Sequence, residues 1–254
     1  GEEEVFLRTA GRLALELERR AGTSAERAPS PGPSWSVSTD QLLADFAAAH
    51  PSQFDESPAL HELKALRAWQ HADVEGCDTE AELAGALYAR RGQPGQASRC
   101  AALRAMVAQR RGDAASAYTH GRRAVDLAEG AGERLAAAAF GLNLGLACFE
   151  LGQLGEALAR VRTGAEQIAD LGNLGQLAHA ALNLAHIHQA FGDDNAAAEL
   201  LPLAERSARE ANQPSVVAHA DITWAGIELR RGKRQASIAR VDAALERISS
   251  CSDE

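Results

Sequence analysis

The chain has 254 residues and a net charge of -9, and only 4% of it is aromatic against 46% hydrophobic. This acidic balance argues against a nucleic-acid partner, because binding to phosphates requires a clustered basic face. No apolar run approaches the length of a membrane span, and the four cysteines form neither a C-x-x-C pair nor a metal-ligand spacing. We therefore expect a cytoplasmic protein with reduced thiols, and we predict no cofactor, no metal, no nucleic acid and no membrane partner.

The first 56 residues differ in pattern from the rest of the chain. Residues 2–20 predict a helix, because apolar side chains recur there at spacings of four and three and form one face. Residues 21–37 contain three prolines and no periodicity, which predicts a loop before a second short helix. We expect residues 1–56 to form an N-terminal helical cap, which a repeat array needs to cover its exposed end, and residues 57–254 to form the array.

The sequence repeats with a period of 40 residues. The segment AAFGLNLGLACFELG at 138–152 aligns with AHAALNLAHIHQAFG at 178–192, so that Asn143 falls on Asn183. Two columns of the period hold residues that can adopt the left-handed conformation in which helices end. These residues are Gly92, Gly112, Gly132, Gly152, Gly172, Gly192, Asn212 and Gly232.

Three further columns of the same period hold only small residues. They are Ala65, Ala105, Gly145, Ala185 and Ala225; Cys77, Ala117, Ala157, Ala197 and Ser237; and Ala84, Ala124, Gly164, Ala204 and Ala244. A unit with two turn residues is a pair of helices, and small residues at fixed positions let the helix pairs approach closely and stack.

The repeat resembles the tetratricopeptide repeat. In LNLGLACFELGQLGEAL, from Leu142 to Leu158, leucine and glycine lie on the first helix, glycine lies at the turn, and glutamate-alanine lies on the second helix. The period is longer than the usual length of about 34 residues and is similar to that of the extended subtype in kinesin light chains and bacterial multidomain regulators. The resemblance covers roughly residues 57–249 and implies an all-α fold, a right-handed α-solenoid (superhelix) of about five helix-turn-helix repeats.

We call the two helices of each repeat A and B. The predicted A and B helices are 58–72 with 77–91, 96–111 with 114–130, 134–151 with 154–170, 175–191 with 194–211, and 214–231 with 234–249. Pro202 lies inside one predicted B helix, where it removes a hydrogen bond and should kink that helix.

No motif of an enzyme is found in the sequence. There is no phosphate-binding glycine loop before a helix, no G-x-S-x-G and no H-E-x-x-H. His186 and His188 are the only close histidine pair, but two residues on a helix are separated by about 200°, so the rings point to opposite sides. They cannot share a metal, and we predict that His188 lies on the side that packs against other helices.

In tetratricopeptide superhelices the concave wall is lined by one face of every helix A. The resemblance places these candidate ligand-binding residues there: Asn143, Asn183, His179, His186, His219, Arg99, Arg110, Gln189, Arg230 and Phe149. An asparagine amide has both a donor and an acceptor and can match the N–H and C=O of an extended peptide. Asn143 and Asn183 resemble the clamp that holds a bound peptide's main chain, although bonds to neighbouring helices or water are the alternative. The histidines and arginines would make the wall neutral to basic, which suits an acidic ligand or a C-terminal carboxylate.

Three functions are compatible with these residues. The first is a non-catalytic module that binds a peptide or protein segment in the concave groove, as the sensor or adaptor part of a larger bacterial regulatory protein. The second is a small-molecule sensor with a pocket between the helices of Asn143 and His186, and the third is self-association into a homo-oligomer. The chain starts without methionine and stops just after a predicted helix B, so we expect a fragment of a longer protein.

Overall fold

The computed structural model describes residues 57–252, with side chains through residue 249. The predicted cap at residues 1–56 lies outside the described residues. Those residues form ten α-helices and no strand. The helices are α1 Pro58–Gln70, α2 Val74–Arg90, α3 Pro94–Arg110, α4 Ala114–Gly130, α5 Arg134–Glu150, α6 Leu154–Asp170, α7 Leu174–Ala190, α8 Asp194–Glu210, α9 Pro214–Arg230 and α10 Arg234–Ser252. Among these helices, none combines the length and the apolar character that crossing a membrane requires.

The helices succeed one another at a fixed interval because the same backbone conformation ends each of them. All eight predicted turn residues have a positive φ, from 52° at Asn212 to 78° at Gly192. Ala72 has a φ of 58° and marks a further turn that the glycine pattern did not predict. Side-chain caps fix the starts of four of the described helices, as at Asp193, whose carboxylate accepts a hydrogen bond from the N–H of Ala196 at 3.0 Å. The predicted helix ends lie within about three residues of those observed.

The contacts divide the chain into two compact units, which are described separately. The described part of the first, residues 57–133, contains α1 to α4, and each of these helices contacts the next. The second unit, Arg134–Ser252, contains α5 to α10, and again each helix contacts the next. In the second unit α7 also contacts α5 and α9, so its three A helices lie side by side. Five successive A and B helix pairs confirm the predicted repeat.

Every member of the three predicted small-residue columns is buried. At Gly145 the neighbouring helix comes so close that an added Cβ would lie 2.4 Å from Cγ2 of Val161 and 3.3 Å from the carbonyl oxygen of Ala157. The small side chains therefore set the distance between the A and B helices, as the sequence predicted.

Substituting alanine at Gly145 tests this close approach. Alanine favours the helix by about 1 kcal/mol over glycine, but overpacking a filled core destabilises by about 1–3 kcal/mol. We therefore expect Gly145→Ala to lower the free energy of unfolding, measured by urea denaturation. Gly141 is the matched control on the same helix, because nothing lies within 4 Å of its added Cβ, and Gly141→Ala should stabilise by about 0.5–1 kcal/mol. Equal stabilisation by both would contradict the close approach.

The described cysteines lie in the core as free thiols. Cys77, Cys100 and Cys148 are all buried. Burial, aided by the charge of Asp78, raises the pKa of the Cys77 thiol to about 11, so this group stays protonated and unreactive near neutral pH. Helix α8 continues through Pro202 to Glu210, and the kink predicted there stays a prediction.

Candidate functional site

The predicted site residues fall on both units. Arg99 and Arg110 lie on α3 in the first unit. The other eight lie on the A helices α5, α7 and α9 of the second unit. We call the surface formed by the exposed and half-buried side chains of α5, α7 and α9 the A-helix face.

The two asparagines occupy the same repeat position on neighbouring helices. Asn143 lies on α5 and Asn183 on α7, and both are half-buried. No described residue hydrogen-bonds to the side-chain amide of Asn183. Its donor and acceptor are therefore available to a ligand or to water.

A hydrogen-bond chain fixes the proton on His186. Its Nε2 lies 2.7 Å from Oγ1 of Thr223 on α9, and the Thr223 hydroxyl donates to the carbonyl oxygen of His219 at 2.9 Å. A hydroxyl carries only one proton, so Oγ1 must accept from Nε2–H of His186. In the neutral ring Nδ1 is then left as a hydrogen-bond acceptor.

Two histidines of the A-helix face, His179 and His186, favour their neutral forms. Burial lowers the pKa of His186, and the charge that His219 would carry lowers it further. The same two causes, in the same order, lower the pKa of His179. Both residues still expose more than a third of their surface to solvent, so they are reachable by a ligand. Both imidazoles are neutral near pH 7.

Amide and apolar groups complete the A-helix face. Gln189 donates to the carbonyl oxygen of Thr223 at 3.3 Å, and Gly226 leaves room for this amide, since an added Cβ would lie 2.8 Å from its nitrogen. Ile222 and Leu229 are 47% and 58% exposed on α9. Half-buried Phe149, on α5, adds an aromatic ring. The face thus offers hydrogen-bonding groups beside uncovered apolar side chains.

The arginines contribute less positive charge than the sequence suggested. Arg230 binds both carboxylate oxygens of Asp194, at 3.0 and 2.9 Å from its Nε. In the first unit, Nε of Arg99 lies 3.1 Å from Oε1 of buried Glu62. Paired charges of this kind largely cancel at a distance. With His179 and His186 neutral as well, these residues lie at the neutral end of the neutral-to-basic range that the sequence predicted.

Arg110, a predicted site residue, and His188 contact other side chains. The guanidinium of Arg110 lies over the ring of Trp69, 4.2 Å from its centroid, which is a cation–π contact. His188 is half-buried and its Nδ1 lies 3.8 Å from Oδ2 of Asp193. Across residues 57–252 no group of three potential ligands is arranged to hold a metal.

The sequence patterns did not predict which side chains contact Arg99 and His186. The separation of these partners along the chain is nevertheless regular. Glu62 and Arg99 are 37 residues apart, as are His186 and Thr223. This separation is one repeat less about one helical turn, and it is the offset at which neighbouring A helices meet. Because this offset is not a whole number of periods, the 40-residue repeat does not reveal it.

Comparisons with known proteins bear on the fold. No protein-family model matches the sequence, and no curated protein matches it either. Solved structures do match. A Rap protein complexed with competence and sporulation factor has a TM-score of 0.73 at 12% identity, over 85% of this chain and 60% of that one. The apo form of RapI has a TM-score of 0.69 at 11% identity over 98% of both chains.

A third match is a putative kinesin light chain from Podosopora anserina with nearly identical TPR-like repeats. Its TM-score is 0.56 at 18% identity, over 80% of this chain and 95% of that one. Identities this low establish likeness of fold alone. The protein is a helical-repeat protein. Its A and B helix pairs have the tetratricopeptide-type fold that the sequence predicted.

Proposed function

We propose that this chain is a non-catalytic recognition module that binds an extended peptide or protein segment on its A-helix face. The observation that carries the proposal is the placement of Asn143 and Asn183 at one repeat position on the adjacent helices α5 and α7. Packed helices lie about 8–10 Å apart, and three residues of an extended peptide span about 10 Å. Two amides at about this spacing can therefore both contact the main chain of one extended peptide.

The surrounding groups favour a ligand that is not strongly charged. Nδ1 of neutral His186 can accept a peptide N–H, and Ile222 and Leu229 can cover apolar side chains. A preference for acidic ligands is expected only below the ordinary pKa of histidine, because burial lowers the pKa of His179 and His186. The exposure of His186 speaks against a closed small-molecule pocket, which would bury most of its ligand.

The module is proposed to serve as the sensor or adaptor part of a larger bacterial regulatory protein in the cytoplasm. A fold neighbour, the Rap protein, is complexed with competence and sporulation factor. That complex supports a recognition role for repeats of this fold.

Selection from a displayed library of random 12-residue peptides, followed by calorimetry on an enriched peptide, tests the proposal. We expect Asn183→Ala to weaken binding by about 1–3 kcal/mol, since a peptide group in the complex loses its hydrogen-bond partner. The free energy of unfolding should change by no more than about 0.5 kcal/mol, as for other surface substitutions. Asn143→Ala should also weaken binding, but Asn143 already has a partner within the protein, so its loss can lower stability as well.

Asn195 supplies the control. It is exposed on α8, where its side chain accepts a hydrogen bond from Arg231 at 2.9 Å. Asn195→Ala should leave peptide affinity unchanged. The proposal fails if the library yields no binder, or if the enriched peptides bind the Asn143→Ala/Asn183→Ala variant as tightly as the original chain.

A further inference from the structure

The two ring nitrogens of His186 have different roles on the A-helix face. Nε2 donates to Oγ1 of Thr223, 2.7 Å away, because the one proton of that hydroxyl is already donated to the carbonyl oxygen of His219. No described residue hydrogen-bonds to Nδ1, and the side chain is exposed. The neutral ring therefore presents an acceptor, and no ring donor, to a ligand.

The surroundings of Thr223 hold its hydroxyl in this orientation. Thr223 is only 3% exposed and lies one helical turn after His219, whose carbonyl takes the hydroxyl proton. Gln189 of α7 donates to the backbone carbonyl oxygen of Thr223 at 3.3 Å and so ties this turn of α9 to α7. The position of Oγ1 is thus set by the protein itself before any ligand binds.

Thr223 also has an informative place in the repeat. It lies one period after Asn183 and two periods after Asn143, so it stands on α9 where the two candidate clamp residues stand on α7 and α5. Its hydroxyl is buried and used within the protein. His186 lies against it from α7 and leaves Nδ1 without a partner. The row of hydrogen-bonding positions therefore continues from Asn143 and Asn183 to His186.

We propose that Thr223 sets the ligand chemistry at this end of the row, by holding His186 as an acceptor for a peptide N–H that is released in acid. This inference rests on the proposed function, since it requires a peptide on the A-helix face. A protonated imidazole has two N–H groups and no acceptor. A ligand N–H that meets protonated His186 loses its partner and faces a second donor.

The groups around His186 determine the pH at which this release occurs. Burial lowers the pKa of His186, and the charge that His219 on α9 would carry lowers it further. No other described residue on α5, α6, α7, α8 or α9 contributes to this shift, and Arg230 of α9 is paired with Asp194 of α8. The affinity is therefore full near pH 7 and is lost as the pH falls through a value below the ordinary pKa of histidine, about 6.5. Below that value each further pH unit raises the dissociation constant by up to about tenfold.

An amide-to-ester scan tests the hydrogen bond directly. The ligand is a peptide enriched from a displayed library encoded without charged residues, histidine or cysteine, and made with blocked ends. No ligand group then titrates between roughly pH 5 and 8, and no acidic group is attracted to protonated histidines. Each ester removes one backbone N–H, and we expect one ester position to raise the dissociation constant near pH 7.5 by about tenfold, because two acceptors then face each other.

Variants of Thr223 show whether its hydroxyl causes this selectivity. Thr223→Val should reduce the ester penalty to less than about threefold, since Nδ1 can then carry the proton and donate to the ester oxygen. Thr223→Ser keeps the hydroxyl and should retain the penalty. Calorimetry gives the dissociation constants, and circular dichroism checks that each variant keeps its helices.

A pH series with the unmodified peptide tests the release in acid. For the original chain the dissociation constant should rise at least about threefold between roughly pH 7.5 and 4.5. His186→Gln, which can accept a hydrogen bond but does not titrate, should have a flat profile. His219→Gln should move the loss to higher pH, because it removes the charge that lowers the pKa of His186. His188→Gln is the matched control on α7, about 200° around the helix from His186, and should leave the profile unchanged.

The outcomes separate this inference from the proposed function. The inference is overturned if a peptide that depends on Asn183 binds equally well across the pH series with the helices intact. It is also overturned if the ester penalties are the same in the original chain and in Thr223→Val. Either result leaves the proposed function standing, whereas a library that yields no binder overturns both.

Discussion

Replacing Arg240 and Arg247 together by alanine is expected to lower the free energy of unfolding by about 3–5 kcal/mol. Asp221 on α9 is only 2% exposed. Its carboxylate binds Nη1 of Arg240 at 2.6 Å and Nε of Arg247 at 3.1 Å, both from α10. Without the two arginines a buried negative charge loses these partners, and this is among the largest effects that surface-accessible substitutions produce. Denaturant unfolding at low protein concentration measures the loss.

A third substitution identifies the cause. Adding Asp221→Asn to the double variant removes the buried charge and should restore a large part of the lost stability. Arg240 also lies over the ring of Trp224, 5.4 Å from its centroid, and loss of that contact would remain after Asp221→Asn. If the third substitution restores nothing, the buried carboxylate is not the source of the instability.

Ala157→Leu is expected to lower the free energy of unfolding by about 1–3 kcal/mol, because the larger side chain overpacks the contact between α5 and α6. Ala157 has 0% exposure, and its carbonyl oxygen lies within 3.3 Å of an added Cβ on Gly145. Ala197, in the same column with the same 0% exposure, should respond alike. The denaturation midpoint, with an unchanged dependence on denaturant, gives the value.

Ala159 is the control for this substitution, since it lies on the same helix but is exposed. Ala159→Leu should change stability by no more than about 0.5 kcal/mol. If leucine is tolerated at both Ala157 and Ala197, the repeat register that assigns these positions to one small-residue column is wrong.

The repeat made most of the fold predictable. Turn residues and small residues act through the backbone and through close contact, so their positions alone fix where helices end and how near they come. Ala72 was missed because alanine gives no sign of the left-handed turn that it adopts at a φ of 58°. The ion pair of Arg230 with Asp194 was not predicted for another reason. Whether Arg230 remains free depends on Asp194, whose proximity is set by the offset between adjacent helices and not by the period.

The exposure of the outer face of α10, at Val241 and Ile248, was also not predictable from the sequence. Val241 and Ile248 look like ordinary core positions of a helix B, and in every earlier repeat of the second unit they would be. Their exposure depends on which helix packs against the outer face of α10, and a pattern of residues within α10 carries no information about that. The same limit applies to Asn183, whose type suggests a hydrogen bond but not its partner.

The regular turns carry one consequence for how such a chain can change in length. Eight successive helices have 17 residues, and each is followed by the same short turn. The backbone at one turn is therefore equivalent to the backbone at the turn one repeat later. Removing or duplicating a whole helix pair therefore rejoins the chain without disturbing its geometry. Removing a single helix would instead place an A face where a B face belongs. Gene duplication can thus lengthen this array only in steps of two helices, and each added step would extend the A-helix face by one more helix.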